Sequence, residues 1–262
     1  MSFVVCSYNI LAGSYIEPRY FPHTAVEHLQ SAWRLGALAD AIERMAAHIL
    51  CLQEVEEDSF AVLRSRLDPL GYSGIFLKKA GDRRDGCATF FDQSLFSLHD
   101  VRRVTYDDAI DGQPVSGNVA LLLKLRHGER TLVIANTHFK WQPLTTPHEL
   151  RIGLRQARQL VAELMPGDAS IVCGDFNAKS DTLTLDTFWK AGFSDAYASR
   201  PDDFTCNSNE LVKRIDYLLH RGPLSAVPHA LPAIESTTPL PSLEQPSDHL
   251  AIRATFEWLS SP

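Results

Sequence analysis

The sequence has few cysteines, no long apolar run and no excess of basic residues. Its five cysteines are an odd number, and no two of them lie at the spacing of zinc ligands, which argues against a zinc site. Four of them (Cys6, Cys51, Cys87 and Cys173) lie in apolar, strand-like runs, so we expect reduced thiols that pack as small apolar groups.

Membrane and export signals are also missing from the sequence. No apolar run approaches the roughly 20 residues that a bilayer-spanning helix needs. The opening segment, residues 1–6, has neither the basic region nor the small-residue cleavage site of a signal peptide. We therefore expect a soluble, cytoplasmic protein with no membrane partner.

The formal net charge of −7 bears on the kind of substrate. A protein that grips long nucleic acid by counterion release needs clustered lysine and arginine over a broad surface, which an acidic chain does not favour. A short substrate, or one bound by its end, fits better. The alternative is that the acidic balance only keeps the protein soluble.

The chain has 262 residues, 45% of them apolar, which is enough for a large core. Apolar runs of strand type end repeatedly in polar residues, and amphipathic helices at about 35–45, 146–165 and 182–191 separate some of them. Other strand-like runs have no helix between them, so we predict two packed mixed sheets covered by helices. No segment resembles a domain linker, and residues 1–262 are predicted to form a single domain. The runs that end in polar residues are 3–8, 49–52, 131–135, 170–173 and 215–219.

Acidic and amide side chains follow these runs where strands end. Asp175 and Asn177 come directly after residues 170–173, and Glu54 follows the apolar run 49–52. A carboxylate with a carboxamide binds a hard cation or its water, and Mg²⁺ prefers such oxygen ligands. Taken alone, Glu54 is more often a surface residue, and Asn9, which ends the first run, an ordinary turn residue.

Two histidines stand near acids or strand ends. Asp216 lies on a strand-like run, and Asp248 adjoins His249. Asp216 could fix the tautomer of His249 for proton transfer, while Asp248 faces a metal. His138 follows the run 131–135, where a protonated or hydrogen-donating imidazole could stabilise charge on a phosphoryl oxygen. These groups indicate metal-assisted phosphoester hydrolysis.

Eight motifs in order resemble one family, the endonuclease/exonuclease/phosphatase superfamily. The resemblance implies a four-layer αββα sandwich, an α/β (α+β) fold, and Mg²⁺-dependent phosphoester hydrolysis. Within this superfamily, the residues of the motifs are most similar to those of the deadenylase-related branch of CCR4, nocturnin, Angel and 2′-phosphodiesterase proteins. The motifs are Tyr8-Asn9-Ile10-Leu11-Ala12, Leu52-Gln53-Glu54-Val55, Asp85-Gly86-Cys87-Ala88-Thr89-Phe90-Phe91, Asn118-Val119-Ala120, Asn136-Thr137-His138, Gly174-Asp175-Phe176-Asn177, Ile215-Asp216-Tyr217 and Pro246-Ser247-Asp248-His249.

The resemblance also implies roles for individual residues. Glu54, helped by Asn9 and Asp248, holds Mg²⁺, for which Mn²⁺ is a possible substitute. Asp175 and Asn177 orient the attacking water or bind a second ion. The proton is handled by Asp216 with His249, and the pentacovalent phosphorus is stabilised by His138 with Asn118. The sequence leaves open whether Asp175 or His249 is the general base.

Substrate contacts are predicted from the same resemblance. Trp141 and Pro143 are similar to a Trp-x-Pro segment that seats adenine in CCR4-type enzymes, with packing as the alternative for Trp141. Leu211 takes the place of their adenine-stacking aromatic residue, which argues against a poly(A) preference. Lys140, two residues after His138, resembles a lysine of nocturnin, whose substrate is a phosphorylated dinucleotide. Phosphate contacts are assigned to Arg83, Arg84, Lys140 and Lys213, with solvated surface charge as the alternative.

The leading hypothesis is a Mg²⁺-dependent 3′–5′ exoribonuclease, similar to deadenylases, that releases 5′-nucleotides. The second is a phosphatase or cyclic phosphodiesterase acting on nucleotides, dinucleotides or RNA 2′,3′-cyclic phosphate ends. The third is a non-catalytic binding module, which would have lost its ligand residues. The expected partner is an RNA 3′ end or a small nucleotide, with no obligate protein partner.

Overall fold

The computed structural model describes residues 2–110, 114–143, 145–147 and 150–259. His148 and Glu149, at the predicted start of the second helix, lie outside these ranges. The helices are α1 (Ser31–Arg44), α2 (Glu57–Leu67), α3 (Ile152–Glu163) and α4 (Leu183–Lys190), with short 3₁₀ turns at Gly13–Tyr15, Pro18–Tyr20, Val26–Leu29 and Asp68–Leu70. The strands are β1 (Ser2–Asn9), β2 (Ile49–Glu56), β3 (Tyr72–Lys78), β4 (Asp85–Asp92), β5 (Ser97–Thr105), β6 (Val119–His127), β7 (Arg130–His138), β8 (Ala169–Asp175), β9 (Ser194–Asp195), β10 (Cys206–Ser208), β11 (Leu211–Lys213), β12 (Asp216–Arg221), β13 (Leu224–Pro228) and β14 (Ile252–Trp258).

The larger strands form two mixed six-stranded sheets. Sheet I has the order β13-β14-β1-β2-β4-β3, and sheet II has the order β5-β6-β7-β8-β12-β9. One neighbouring pair in each sheet is parallel, β1 with β2 and β7 with β8. A separate hairpin, β10–β11, lies beside the sheets. No helix in the described ranges is long and apolar enough to span a bilayer.

The sheets pack face to face, and helices cover their outer faces. In β2, Ile49 and Cys51 pack between the sheets, whereas Leu50 and Leu52 pack against α1 and α2. Strand β8 repeats the pattern on the side of α3 and α4, with Val172 facing outward. Both faces of these central strands are buried, so they appear in the sequence as unbroken apolar runs. The predicted four-layer αββα sandwich is confirmed.

A buried amide pair joins the two sheets at their centre. Gln53 of β2 donates from Nε2 to Asn136 Oδ1 of β7 at 2.8 Å. Asn136 Nδ2 in turn reaches the Leu52 and Ala88 carbonyls of sheet I at 3.1 and 2.9 Å. Both side chains are fully buried. Because buried polar groups are costly when unpaired, this pair fixes how the sheets sit on each other.

We expect Asn136→Ala to lower the free energy of unfolding by about 3 kcal/mol, because it leaves two carbonyls and the Gln53 amide without their partner. Urea unfolding of Asn136→Ala, Gln53→Ala and the double variant measures the coupling between the two side chains. We expect the double variant to be less destabilised than the sum of the single variants by about 1 kcal/mol. Strict additivity would contradict a cooperative pair.

Candidate active site

The predicted catalytic residues meet where strands of both sheets end. Asn9 ends β1 and Glu54 lies near the end of β2, and these two strands are parallel neighbours. In sheet II, Asp175 pairs with His138 on one side and with Asp216 on the other, so the three residues form a row across β7, β8 and β12. Sheet topology therefore brings together residues that are far apart in sequence.

A bulge in β2 directs Glu54 into the site. The pairing of β2 with β4 shifts between Gln53 and Val55, and Glu54 has a positive φ of 57°. Such a conformation costs about 1–3 kcal/mol for a residue other than glycine and is common beside active sites. The displaced carboxylate accepts hydrogen bonds from the Ala12 amide at 2.9 Å and from Asn9 Nδ2 at 3.0 Å.

The glycine before Asp175 is required by the close approach of β7. Gly174 has a φ of 144°, and a Cβ atom there would lie 1.7 Å from the Thr137 carbonyl oxygen. Beyond Asp175 the chain turns at Asn177, which has a φ of 47°. The backbone amide of Asn177 donates to Asp175 Oδ1 at 2.8 Å. The Gly-Asp-Phe-Asn motif is thus a strand end that holds one carboxylate still.

Asn9 links the carboxylates of the two sheets. Its Nδ2 donates to Glu54 Oε1 at 3.0 Å and to Asp175 Oδ2 at 3.1 Å. Its Oδ1 accepts the Leu11 amide at 3.0 Å. In this arrangement Asn9 orients the acids through its amide group, while its predicted contact with a metal stays a prediction.

Acidic groups are crowded in this buried site. Burial, and then Asp248, raise the pKa of Glu54 above its ordinary value. Burial raises the pKa of Asp175 to about 7, with His249 acting against the shift and Asp216 adding to it. Ligand atoms of Asp175, Asp216 and His249 lie within 4.8 Å of one another. Buried oxygens that repel each other in this way fit a bound divalent cation, which would offset their charge.

Asp216 holds His249 in place as predicted for an Asp-His pair. The Asp216 oxygens lie 2.9 and 3.1 Å from His249 Nδ1, and Thr205 Oγ1 donates to Asp216 at 2.6 Å. The other ring nitrogen, Nε2, lies 3.7 Å from Asp175 Oδ2. Burial opposes protonation of the ring, but Asp216, Cys206 and Asp248 together raise the pKa of His249 well above its ordinary value.

His138 has the opposite electrostatic environment. Burial, and then the ammonium of Lys79, lower its pKa well below the ordinary value for histidine. Lys79 Nζ lies 3.5 Å from His138 Nδ1, and Asn177 Nδ2 lies 3.1 Å from Nε2. Of the two predicted forms of His138, this environment favours the neutral imidazole.

Most of the predicted catalytic residues line a cavity of about 440 Å³. Five predicted substrate residues line it, namely Arg83, Asn118, Lys140, Trp141 and Lys213. Trp141 is 60% exposed, as expected of a surface available to a base rather than of a packing residue. Burial lowers the pKa of Lys140, as do Arg83 and Lys79, which are further cations of the same cavity.

Three other predicted substrate residues, Arg84, Pro143 and Leu211, do not line this cavity. Arg84 is exposed, with its guanidinium 3.8 Å from Glu56. Leu211 is 57% exposed and lies next to the hairpin turn, two residues before Lys213. Pro143 is also exposed. All three are close in sequence to residues that line the cavity, but their own side chains lie outside it.

Two basic residues of the site were missed by sequence reasoning. Arg34 of α1 is buried and donates to the Ile10, Leu11 and Pro246 carbonyls at 2.6, 2.7 and 3.0 Å, joining the segments that carry Asn9 and Asp248. Its position four residues before Leu38 on the apolar helix face was an available signal. Lys79 is buried against Asp85 at 2.6 Å, and nothing in its sequence context marks it.

Comparisons with known proteins agree with this geometry. Residues 6–249 match the Endonuclease/Exonuclease/phosphatase family. "Carbon catabolite repressor protein 4 homolog 4" of Arabidopsis thaliana is 27% identical over 97% of this chain and 77% of its own length. "2',5'-phosphodiesterase 12" of Bos taurus is 24% identical over 96% of this chain. The crystal structure of ANGEL2, described as a 2',3'-cyclic phosphatase in complex with adenosine-2',3'-vanadate, superposes with a TM-score of 0.86 at 24% identity, covering 98% of this chain and 95% of that one.

The extent of these matches differs. The chain spans about half the length of the Bos taurus relative, 51%. The likeness to ANGEL2 supports the fold. The family match, in contrast, covers nearly the whole chain from β1 to His249 and includes each of the strand ends described above. The chain is a hydrolytic phosphoesterase and belongs to the Endonuclease/Exonuclease/phosphatase family.

Proposed function

We propose that the chain is a Mg²⁺-dependent phosphodiesterase that cleaves the terminal phosphodiester at the 3′ end of RNA and releases a 5′-nucleotide. The observation that carries this proposal is the cavity, which combines the carboxylates and His249 with four cations, Lys79, Arg83, Lys140 and Lys213. Its volume of about 440 Å³ lies within the range of about 300–1,000 Å³ for small-ligand sites. That size suits the end of a chain better than its middle.

The residues that would hold the ion are Glu54 and Asp248, whose carboxylates both border the cavity. Asp175 and Asn177 are available to a second ion or to the attacking water, and Mn²⁺ is the alternative metal. The chemistry that such an ion supplies when bound is polarisation of a phosphoryl oxygen and acidification of water. Neutral His138 lies beside these carboxylates, with Nδ1 4.0 Å from Glu54 Oε1 and Nε2 3.6 Å from Asp175 Oδ2, and with Asn118 it would contact the phosphoryl group.

Two residues move the proton in this proposal. Asp175, whose pKa burial raises to about 7, takes the proton from the attacking water. His249, oriented by Asp216, has a pKa raised well above its ordinary value and gives a proton to the departing 3′ oxygen. In this proposal the general base is therefore Asp175 rather than His249.

A second candidate is hydrolysis of 2′,3′-cyclic phosphate ends of RNA or of small nucleotides. Leu211 lies outside the cavity, so nothing at that position holds an adenine ring as the poly(A) hypothesis requires. The superposition on ANGEL2, described as a 2',3'-cyclic phosphatase, supports the same candidate. The non-catalytic hypothesis is not supported, because every predicted metal and proton-transfer position has a competent side chain at the site.

Three 5′-labelled RNAs that differ only at the 3′ end separate these candidates. The ends are an oligo(A) 3′-hydroxyl, an oligo(U) 3′-hydroxyl and a 2′,3′-cyclic phosphate, each incubated with Mg²⁺, with Mn²⁺ and with EDTA. Metal-dependent shortening is expected of the exonuclease. Opening of the cyclic phosphate without shortening would favour the second candidate, and unchanged RNA in every metal condition would contradict both.

We expect Glu54→Gln to lower kcat by at least about 10²-fold, because an amide of the same shape removes the charge that would hold the ion. Calorimetric titration should also show weaker Mg²⁺ binding. The matched control is Glu57→Gln, three residues later on the exposed start of α2, which should behave as the unmodified chain. Full activity of Glu54→Gln would exclude Glu54 as a ligand.

We expect Asp216→Asn to lower kcat by about 10²–10⁴-fold with little change in KM, because His249 loses the carboxylate that stabilises its protonated form. The fold should persist, since the amide oxygen still accepts from Thr205. Asp202→Asn, at an exposed position, is the control for the loss of one negative charge. A kcat within about threefold of the control would rule out the assigned role.

We expect Leu211→Phe to raise kcat/KM for adenine-ended over uridine-ended RNA by about fivefold, the equivalent of about 1 kcal/mol of stacking. Leu211 and Lys213 lie on the same face of β11, so a longer ring at 211 extends toward the cavity that Lys213 lines. Leu211→Ala is the control, because it changes the side chain at this surface position without adding a ring. Equal selectivity in all three proteins would mean that position 211 does not border the base.

A further inference from the structure

A cysteine thiol lies inside the catalytic cavity and has no part in the proposed hydrolysis. Cys206, the first residue of β10, forms an isolated antiparallel bridge with His249. Residues paired in this way project side chains to the same face, and the Cys206 sulfur lies within 4.8 Å of a ring nitrogen of His249. Cys206 is only 2% exposed, yet it lines the cavity together with Asp248 and His249.

These three side chains have the donor atoms of a zinc site. One ligand atom each from Cys206, Asp248 and His249 lies within 4.8 Å of the other two. In a tetrahedral zinc site the same donors lie about 3.3–3.8 Å apart, so movements of about 1 Å suffice to close the site. Thiolate and imidazole select Zn²⁺ over Mg²⁺, which takes oxygen ligands.

The ring of His249 is oriented so that its second nitrogen, Nε2, can act as a metal ligand. Asp216 accepts from Nδ1 at 2.9 Å, which leaves Nε2 as the ring nitrogen available to a metal. A carboxylate that fixes the far side of a ligating imidazole in this way is the usual companion of zinc-bound histidine.

We propose that Cys206, Asp248 and His249 bind Zn²⁺ in the catalytic cavity, and that its binding reversibly blocks hydrolysis. Binding releases two protons to solvent, the thiol proton of Cys206 and the Nε2 proton that His249 carries as the proposed acid, and it involves no oxidation or reduction. Three protein ligands leave a fourth position for water.

The blocking effect follows from shared residues. Asp248 is withdrawn from the proposed Mg²⁺ site, and His249 can no longer give up a proton through Nε2. This consequence rests on the proposed function, whereas metal binding by the three side chains does not. Since zinc would lie beside the catalytic acid rather than on Glu54, excess Mg²⁺ should relieve the inhibition only in part.

The test uses Co²⁺ as a coloured substitute for Zn²⁺ in the full chain, after removal of bound metal with a chelator and in the presence of excess Mg²⁺. We expect a near-ultraviolet thiolate-to-cobalt band and visible d–d bands that saturate at one equivalent and disappear when Zn²⁺ is added. Cys206→Ser and Cys206→Asn should both lose the near-ultraviolet band, with folding checked by circular dichroism. Cys6→Ala, which removes a buried thiol of β1 that does not line the cavity, should keep it.

Inhibition is measured separately, relative to the uninhibited rate of each variant. The Zn²⁺ concentration for half inhibition should rise at least about tenfold in Cys206→Ser. A missing near-ultraviolet band in the unmodified chain, or a band that persists in both Cys206 variants, would overturn the site. A band that depends on Cys206 without inhibition by Zn²⁺ would leave the site standing and overturn the proposed block. If no RNA end is hydrolysed at all, the proposed function fails and the cobalt titration still decides the binding.

Discussion

The buried contact between Gln53 and Asn136 sets the position of one sheet on the other, and the site depends on that position. Gln53 directly precedes Glu54, and Asn136 lies two residues before His138. The 2.8 Å hydrogen bond between their amides therefore lies next to the ends of β2 and β7. A shift of either strand by one residue would turn its polar end residue to the other face of the sheet. The amide pair makes such a shift expensive.

The site gathers charges that only its surroundings make tolerable. Glu54, Asp175, Asp216 and Asp248 come from four different segments, and burial raises the pKa of both Glu54 and Asp175. Hydrogen bonds from backbone amides, the Asn9 amide group and the His249 ring partly offset the cost of burying these carboxylates. These bonds orient the carboxylates of Glu54, Asp175 and Asp216, and carboxylate oxygens clustered in this way are the ligands that a divalent cation takes.

Sequence reasoning found the strand ends because their burial on both faces leaves an unbroken apolar run followed by a polar residue. It missed α2, which buries only Leu63 and Leu67 and so has little periodicity, and β3, whose residues are all half-buried. Helix α3 begins at Ile152, later than predicted. Arg34 and Lys79 were missed because their roles come from contacts between distant segments. The spacing argument against zinc considered only cysteine pairs along the chain, and it could not foresee that Cys206 lies beside His249.

The charge distribution is compatible with the proposed action of an acidic protein on the end of an RNA chain. The net charge is −7, yet Lys79, Arg83, Lys140 and Lys213 all border one cavity. Their mutual repulsion is visible in Lys140, whose pKa is lowered by burial and by Arg83 and Lys79. Phosphate binding there would relieve that repulsion, whereas the net negative charge of the chain does not favour a long nucleic-acid backbone. Under the proposed function, affinity concentrated in the cavity would favour substrates that present a phosphate at an accessible end.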